Sequence, residues 1–133
     1  MDFHKLRDMH FASAPDGEAC YREFITKHLG SANSCVLVAE YRGGLVGYCL
    51  AIQAQLPQVF AHRHYGDIFD LAVTLKYRRL GVGEKLVAEA LTWFKSRGLR
   101  RVETRVAATN EVSTSFWRKM GFRTFVTHVF KQF

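Results

Sequence analysis

Residues 78–83 carry the pattern with the clearest chemistry, Arg78-Arg79-Leu80-Gly81-Val82-Gly83. The segment follows an apolar, strand-like stretch and precedes a long amphipathic one, so the chain here leaves a strand and begins a helix. The first amides of a helix have no intrahelical acceptor and lie at the positive end of its dipole, which favours a phosphate or pyrophosphate. Gly81 and Gly83 let the main chain come close to such an anion, and the arginines add fixed charge. An ordinary turn has the same composition, so this pattern alone leaves both interpretations open.

The composition agrees with a compact anionic ligand. The formal net charge is +7, and the basic residues are densest around the glycine segment. There is no long basic stripe with interleaved aromatics, so a nucleic-acid binder is the weaker interpretation and we expect no such partner. The apolar run over 45–52 is far too short to span a bilayer. A charged N-terminus and three scattered cysteines predict a cytoplasmic protein with reduced thiols, and no Cys/His spacing resembles a metal site.

Periodicity predicts one domain over residues 1–133 with the order α-β-β-β-α-β-α-β. The predicted elements are a helix over 15–29, strands over 35–41 and 45–54 around a turn at 42–44, a loop over 55–66, a strand over 67–74, a helix ending near Gly98, a strand over 101–107, a helix over 110–120 and a strand over 122–130. A helical crossover makes strands 67–74 and 101–107 parallel. The glycine segment then lies at the carboxyl end of its strand, where open α/β sheets usually bind ligands.

Two segments in this order resemble motifs of the GNAT N-acetyltransferase superfamily. Asp70-Leu71-Ala72-Val73, followed by Tyr77-Arg78-Arg79-Leu80-Gly81-Val82-Gly83, is similar to that family's acetyl-CoA loop. Asn110 with Phe116-Trp117-Arg118-Lys119-Met120-Gly121-Phe122 is similar to its second motif. Within the family, the motifs resemble those of the spermidine/spermine-type members most. The resemblance implies an α/β fold of the mixed α+β type, with a splayed central sheet and helices on both faces.

The same resemblance implies where acetyl-CoA binds. The main chain of Leu71, Ala72 and Val73 would pair with the pantetheine arm, and the Leu71 amide would polarise the thioester carbonyl. The pyrophosphate would lie on the loop formed by Arg78, Arg79, Leu80, Gly81, Val82, Gly83 and Glu84. Asn110 and Lys119 would also contact the coenzyme. For Asn110 the alternative is a helix N-cap, and for Lys119 it is a solvated surface lysine.

The family's acid–base side chains are missing from their usual places. Trp117 occupies the position of the tyrosine that protonates the departing thiolate; an indole N–H can mark the thiol side but cannot supply the proton. Phe69 replaces the glutamate of the spermidine/spermine-type members, whereas Asp70 is retained. Asp67 and Asp70 are the candidate bases, and strict alternation predicts that their side chains point in opposite directions. The alternative for both is a carboxylate bonded to main chain or to arginine.

The beginning of the chain departs from the family as well. The segment over 2–10 does not alternate as a strand should, so we expect the family's first edge strand to be absent or degenerate. The edge of strand 35–41 would then be uncovered, which favours a homodimer. The loop over 55–66, which would border the acceptor site, contains His62 and His64 as further candidates for proton transfer.

The sequence therefore predicts an N-acetyltransferase that moves an acetyl group from acetyl-CoA to a primary amine. The expected mechanism is direct attack within a ternary complex, with no metal and no membrane partner. The alternative is a GNAT-fold module that binds CoA or an acyl-CoA without catalysis, since the usual acid and base are missing. No pattern identifies the acceptor, which is a small-molecule or peptide amine.

Overall fold

The computed structural model describes residues 2–5, 31–57, 59, 61 and 63–133. Five strands form one sheet in the order β1-β2-β3-β4-β5, with two long helices beside it. The bounds are β1 Asp2–Lys5, β2 Ser34–Tyr41, β3 Gly44–Gln55, β4 His64–Val73, α1 Val82–Ser96, β5 Val102–Thr104 and α2 Glu111–Lys119, with a 3-10 turn at Leu75–Tyr77. The predicted mixed α/β fold is confirmed. The predicted helix over 15–29 lies outside the described residues.

The β2–β3 hairpin forms where the sequence predicts it. Arg42 and Gly43 both have positive φ, 51° and 78°, which matches the twist that a two-residue hairpin turn requires. At the other edge of β2 the first strand, expected to be absent or degenerate, is present as a short strand, so the expected absence is wrong. β1 is present and pairs antiparallel with β2 over four residue pairs, although it is too short to show alternation. Because β1 covers that edge of β2, the edge no longer gives a reason for the predicted homodimer.

The amphipathic pattern after the glycine segment forms α1, whose apolar face builds the core. Leu86, Val87, Ala90 and Phe94 are fully buried and pack with residues of β3, β4 and α2. Each large aliphatic or aromatic side chain buried in this way contributes about 1.5–3 kcal/mol. A side chain at Gly66 would meet the Phe94 ring at 2.7 Å, so glycine is required there for the helix to lie against β4. The helix therefore fixes its own N-terminus relative to the end of β4.

The opposite face of the sheet carries Val36, Val38 and Leu50, each fully buried. The cross-strand register places Val36 opposite Leu50, and both lie on the face away from Cys49 and α1. Within the described residues, no helix is long and apolar enough to cross a membrane.

Cys35 and Cys49 are free and buried, as the sequence predicts, whereas Cys20 lies outside the described residues. Burial raises the pKa of the Cys49 thiol to about 12, and the neighbouring Cys35 and Asp70 add to the increase. The thiol therefore stays protonated in the native protein under conditions that ionise it in the unfolded chain.

We expect Cys49 to resist alkylation in the native state and to make stability depend on alkaline pH. Above about pH 8.5–9 the unfolded thiol loses its proton while the native thiol keeps it, so the free energy of unfolding falls as pH rises. Between pH 8 and pH 10, denaturant unfolding should show a loss of unfolding free energy about 1–2 kcal/mol larger in the wild type than in Cys49→Ala. Equal losses, or rapid modification of native Cys49 seen by peptide mass spectrometry, would contradict this.

From residue 64 onward, three strands differ from the prediction. β4 begins at His64, so the predicted loop over 55–66 is shorter, and β5 spans Val102–Thr104 instead of 101–107. The predicted strand over 122–130 is wrong, since residues 122–133 form no regular secondary structure. A strand needs a hydrogen-bonded neighbour as well as a suitable sequence. In the described part of the chain, residues 122–133 have no strand partner.

Candidate active site

β4 and β5 run parallel and then separate. Their pairing covers Gly66, Asp67 and Ile68 opposite Val102, Glu103 and Thr104, and the Thr104 hydroxyl donates a 2.9 Å hydrogen bond to the Ile68 carbonyl where it ends. Beyond this point β4 continues to Val73 without β5, which ends at Thr104. The splayed sheet that the family resemblance implies is therefore present.

A β-bulge in β4 coincides with the separation. Leu50 of β3 faces Asp70, whereas Ala51 faces Ile68, so β4 contains one extra residue, Phe69, between these two pairs. A bulge bends its strand and increases its twist, which turns the end of β4 away from β5. The bulge also decides which main-chain groups face the opening. The Thr74 amide donates to Val46 of β3, and because main-chain groups alternate, those of Leu71 and Val73 point to the other side.

A cavity of about 830 Å³ occupies the opening. This volume lies in the range of small-molecule and cofactor sites. Most of the sequence-predicted site residues line it together: Asp70, Leu71, Ala72, Val73, Arg78, Arg79, Gly81, Gly83, Glu84, Asn110, Trp117 and Lys119. The other three candidates do not line it: Asp67 is buried in the sheet, Val82 is buried in the core and Leu80 is exposed.

The loop between β4 and α1 has the geometry of an anion-binding nest. Arg79 and Gly81 both have positive φ, 63° and 83°, and Gly81 is the N-cap of α1. Among the turn, loop and cap hydrogen bonds of the described residues, none has a main-chain amide of residues 79–84 as its donor. Alternating backbone of this kind points successive N–H groups into one concavity. The main chain at the start of α1 can therefore hold a phosphate.

The two glycines of this loop are needed for different structural reasons. A side chain at Gly81 would meet nothing within 4 Å, but the positive φ makes any other residue strained. At Gly83 an added Cβ would lie 3.3 Å from the Phe116 ring, so this glycine lets α1 approach α2. Arg78 Nε donates to the Val73 carbonyl at 3.1 Å, which ties the loop to the end of β4.

α2 brings the second motif to the other side of the cavity. The Asn110 carboxamide accepts a 3.0 Å hydrogen bond from the Ser113 amide, so its interpretation as an N-cap is confirmed, and the residue also lines the cavity. Lys119 Nζ lies 2.6 Å from a carboxylate oxygen of Glu84; the Lys119 side chain is exposed and that of Glu84 is half-buried. Their ion pair links the end of α2 to the first turn of α1 at the rim of the anion-binding loop.

Trp117 is only 8% exposed and belongs to the core. Its ring packs edge-on against Phe116 and Phe122, with centroids 5.0 and 4.9 Å away. The side chain thus fills the wall of the cavity with apolar surface. An indole in this position excludes water from the wall and offers no titratable proton.

The two candidate bases have different surroundings. Asp67 is 8% exposed, and its Oδ2 accepts from Arg105 at 2.9 Å, as the arginine-bonded alternative predicts. Its other oxygen is buried and has no hydrogen-bond partner among the described residues. Asp70 lines the cavity and accepts a 2.7 Å hydrogen bond from the Tyr48 hydroxyl. Of the two carboxylates, only Asp70 can meet a molecule in the cavity.

Strict alternation is wrong for this pair. Asp70 lies opposite Leu50 and Asp67 opposite Ile52, two residues apart on β3, so both aspartates lie on one face of the sheet. The extra residue Phe69 shifts the alternation between them. Tyr48 is a site residue that sequence reasoning missed, and its only signal was its place on the strand that pairs with β4. Of the two candidate histidines, His64 is exposed in β4, and His62 lies outside the described residues.

The cavity thus combines an amide-lined anion site, an open strand edge and two carboxylates, Asp70 and the Glu84 that pairs with Lys119. In the described part of the chain, no group of three or more His, Cys, Asp or Glu side chains could hold a metal ion. Residues 3–122 match the sequence model of the Acetyltransferase (GNAT) family. This chain belongs to the GNAT family.

Named GNAT relatives are distant and longer. N-acetyltransferase family 8 member 3 of Rattus norvegicus is 29% identical over 96 residues, which are 72% of this chain and 41% of the relative. An N-alpha-acetyltransferase of Sulfurisphaera tokodaii is 28% identical over 108 residues, covering 75% of this chain and 63% of the relative. The chain therefore spans less than two thirds of either relative.

Among solved structures, the aminoglycoside N-acetyltransferase AAC(6')-Iy in complex with CoA aligns with a TM-score of 0.76 at 16% identity. The alignment covers 98% of both chains. At this identity, the agreement shows that the two proteins share the GNAT fold.

Proposed function

We propose that this GNAT domain transfers an acetyl group from acetyl-CoA to a primary amine by direct attack in a ternary complex. The observation that carries the proposal is the single cavity in which the anion-binding loop adjoins the open edge of β4. The loop suits the pyrophosphate, and the outward-facing main chain of Leu71 and the Val73 amide suit the amide-rich pantetheine arm. The Val73 carbonyl accepts from Arg78. CoA binding by a GNAT protein of the same fold supports this assignment.

The main-chain groups on the open edge also supply the electrostatic part of the reaction. As the amine nitrogen attacks the thioester carbon, negative charge develops on the carbonyl oxygen. The Leu71 amide, which faces the opening, would donate a hydrogen bond to that oxygen. A donor of this kind contributes about 10²–10³ in rate in comparable enzymes. The C–N bond then forms as the C–S bond breaks, and CoA leaves as a thiolate.

We assign Asp70 as the group that removes the proton from the amine, directly or through water. It lines the cavity, whereas Asp67 is bonded to Arg105 in the sheet. Tyr48 holds one Asp70 oxygen at 2.7 Å and so fixes the orientation of the carboxylate. The thiolate takes its proton from water, because Trp117 has none to give. A thiol with a pKa near ~8.5 is an acceptable leaving group at neutral pH.

A cationic amine fits the acceptor side best. Asp70 adds negative charge at the cavity wall, and a primary amine is protonated near neutral pH. Related proteins carry names that indicate different amines: an alpha-amino group for the Sulfurisphaera tokodaii relative and an aminoglycoside for the solved structure. An activity assay should therefore include both small-molecule and peptide amines.

The second candidate function is a module that binds CoA or an acyl-CoA without catalysis. The burial of Trp117 among Phe116 and Phe122 favours it, since the place of the family's proton donor is filled by apolar surface. Binding would then depend on the loop and the strand edge alone.

Calorimetry and a free-thiol release assay separate the two candidates. The proposed enzyme should bind CoA and release thiol from acetyl-CoA in the presence of at least one amine from a panel of polyamines, aminoglycosides, amino acids and peptides. CoA binding without thiol release on any amine would favour the module. If neither CoA nor acetyl-CoA bound, both candidates would be rejected.

A further inference from the structure

Arg105 brings a positive charge to the cavity that Asp70 lines. The residue follows the end of β5, and its guanidinium carbon lies 5.7 Å from the centroid of the Phe69 ring, another part of the cavity wall. In the proposed reaction the glycine loop binds the pyrophosphate, the main chain of β4 binds the pantetheine arm and Asp70 takes the proton. Arg105 is therefore a charged group of the cavity that neither cofactor binding nor proton transfer explains.

The Arg105 side chain lies on the same face of the sheet as the two aspartates of β4. The parallel register places Glu103 beside Asp67, and alternation along the chain gives Arg105 the side of Glu103. The 2.9 Å hydrogen bond from Arg105 Nη2 to Asp67 Oδ2 agrees with this placement. Asp70 lies on that face as well, because the bulge shifts the alternation. The proposed base and the guanidinium are thus presented to the same side of the cavity.

The ion pair with Asp67 uses only part of the Arg105 guanidinium. Asp67 Oδ2 accepts from one of its nitrogens, while Asp67 Oδ1 is buried without a hydrogen-bond partner among the described residues. The Arg105 side chain is 66% exposed, against 11% for Asp67. A guanidinium carries five N–H donors in a planar fork, which matches the two oxygens of a carboxylate. The exposed part of the fork can therefore bind a carboxylate through two parallel hydrogen bonds while Asp67 holds the other part.

We propose that Arg105 binds a carboxylate of the acceptor, so that the substrate is a primary amine that also carries a carboxylate, as in a free amino acid. This inference rests on the proposed acetyl transfer. The ammonium lies at Asp70 before it loses its proton, and the carboxylate lies at Arg105. The charges of the site select this class of acceptor. A phosphate dianion would meet the negative charges of Asp67 and Asp70, and the second cation of a polyamine would meet Arg105.

Pairs of amino acids and their decarboxylated amines test the proposal, because the two members of a pair differ only in the carboxylate. Suitable pairs are tyrosine with tyramine, phenylalanine with phenethylamine, histidine with histamine and lysine with cadaverine. Calorimetry in the presence of CoA measures the affinity for each compound, and thiol release from acetyl-CoA measures kcat/KM. The wild type should prefer the amino acid by about 10–100-fold in at least one pair, as expected for hydrogen bonds between charged groups. The preference should appear in KM and hardly in kcat.

Arg105→Gln should abolish this preference, and Arg105→Lys, which keeps the charge but not the fork, should restore only part of it. Arg101→Gln is the matched control. Arg101 lies next to the start of β5, is half-exposed and pairs with Glu103 at 2.8 Å, but it does not line the cavity. It should keep the wild-type preference. If Arg105→Gln proves unstable because Asp67 loses its partner, Arg105→Gln combined with Asp67→Asn removes both charges and should show the same loss.

The possible failures of the inference and of the proposed function are distinguishable. Thiol release with a preference for the decarboxylated amine in every pair, or an undiminished preference in Arg105→Gln, would overturn the role of Arg105 and leave the acetyl transfer intact. Calorimetry that detects no amino acid bound at millimolar concentration would also overturn that role, whether or not thiol is released. Binding of an amino acid through Arg105 without thiol release on any amine would instead support the role and reject the catalysis.

Discussion

Replacement of Gly81 by valine is expected to reduce the affinity for CoA by at least about 100-fold. Gly81 has a φ of 83°, and an L-residue in that region costs about 1–2 kcal/mol, more if it is β-branched. The loop would relax by turning its amides away from the pyrophosphate. Each hydrogen bond lost to a charged group is worth about 1.5–3 kcal/mol, so two give the stated factor. Isothermal titration calorimetry with CoA measures it directly.

Gly98→Val is the matched control. Gly98 follows the other end of α1, has a φ of 77° and, like Gly81, has no atom within 4 Å of an added Cβ. Both variants thus introduce the same strain and should lose similar stability, but only Gly81→Val should lose CoA binding. Equal loss of affinity in both would mean that general destabilisation is the cause. Unchanged affinity in Gly81→Val would refute the location of the pyrophosphate site.

The second large effect is expected for Asp70→Asn, once an accepted amine is known. A general base contributes about 10²–10⁴ in rate, so kcat should fall by that factor. CoA affinity should not change, because the loop and the main chain of β4 remain intact. Steady-state kinetics and calorimetry on the same preparation separate the two effects.

Two further variants distinguish a base from a structural carboxylate. Asp67→Asn weakens the ion pair with Arg105 inside the sheet, so it should lower stability more than turnover. Tyr48→Phe removes the 2.7 Å hydrogen bond to Asp70 and should lower kcat by about tenfold through poorer orientation of the carboxylate. A large loss of kcat in Asp67→Asn with a normal Asp70→Asn would reverse the assignment of the base.

Much of the fold could be predicted because its signals are local. The turn at Arg42 and Gly43, the apolar face of α1 and the Asn110 N-cap each depend on residues within a few positions of one another. The glycine loop was predictable for the same reason: strand, turn and helix follow directly in the chain, and the cavity forms where the connection places it.

What could not be predicted depends on pairing between distant segments. Alternation along β4 gives no sign of the extra residue Phe69, because a bulge is defined only against β3. Tyr48 reaches Asp70 from that neighbouring strand, 22 positions away. β1 is too short for its pattern to show, and the apolar residues of 122–133 specify a strand only if a partner edge is supplied.

The bulge at Phe69 determines which main-chain groups of β4 are exposed at the candidate site. One inserted residue lies where the pairing between the parallel strands β4 and β5 ends. It also reverses which peptide groups of β4 face away from β3. The main-chain groups of β4 that would have bonded to a neighbouring strand are then available to the cofactor in the proposed site. In the proposed site, the number of residues from the bulge decides which main-chain groups face the cofactor, so the side-chain identities at Leu71 and Val73 matter less than their positions.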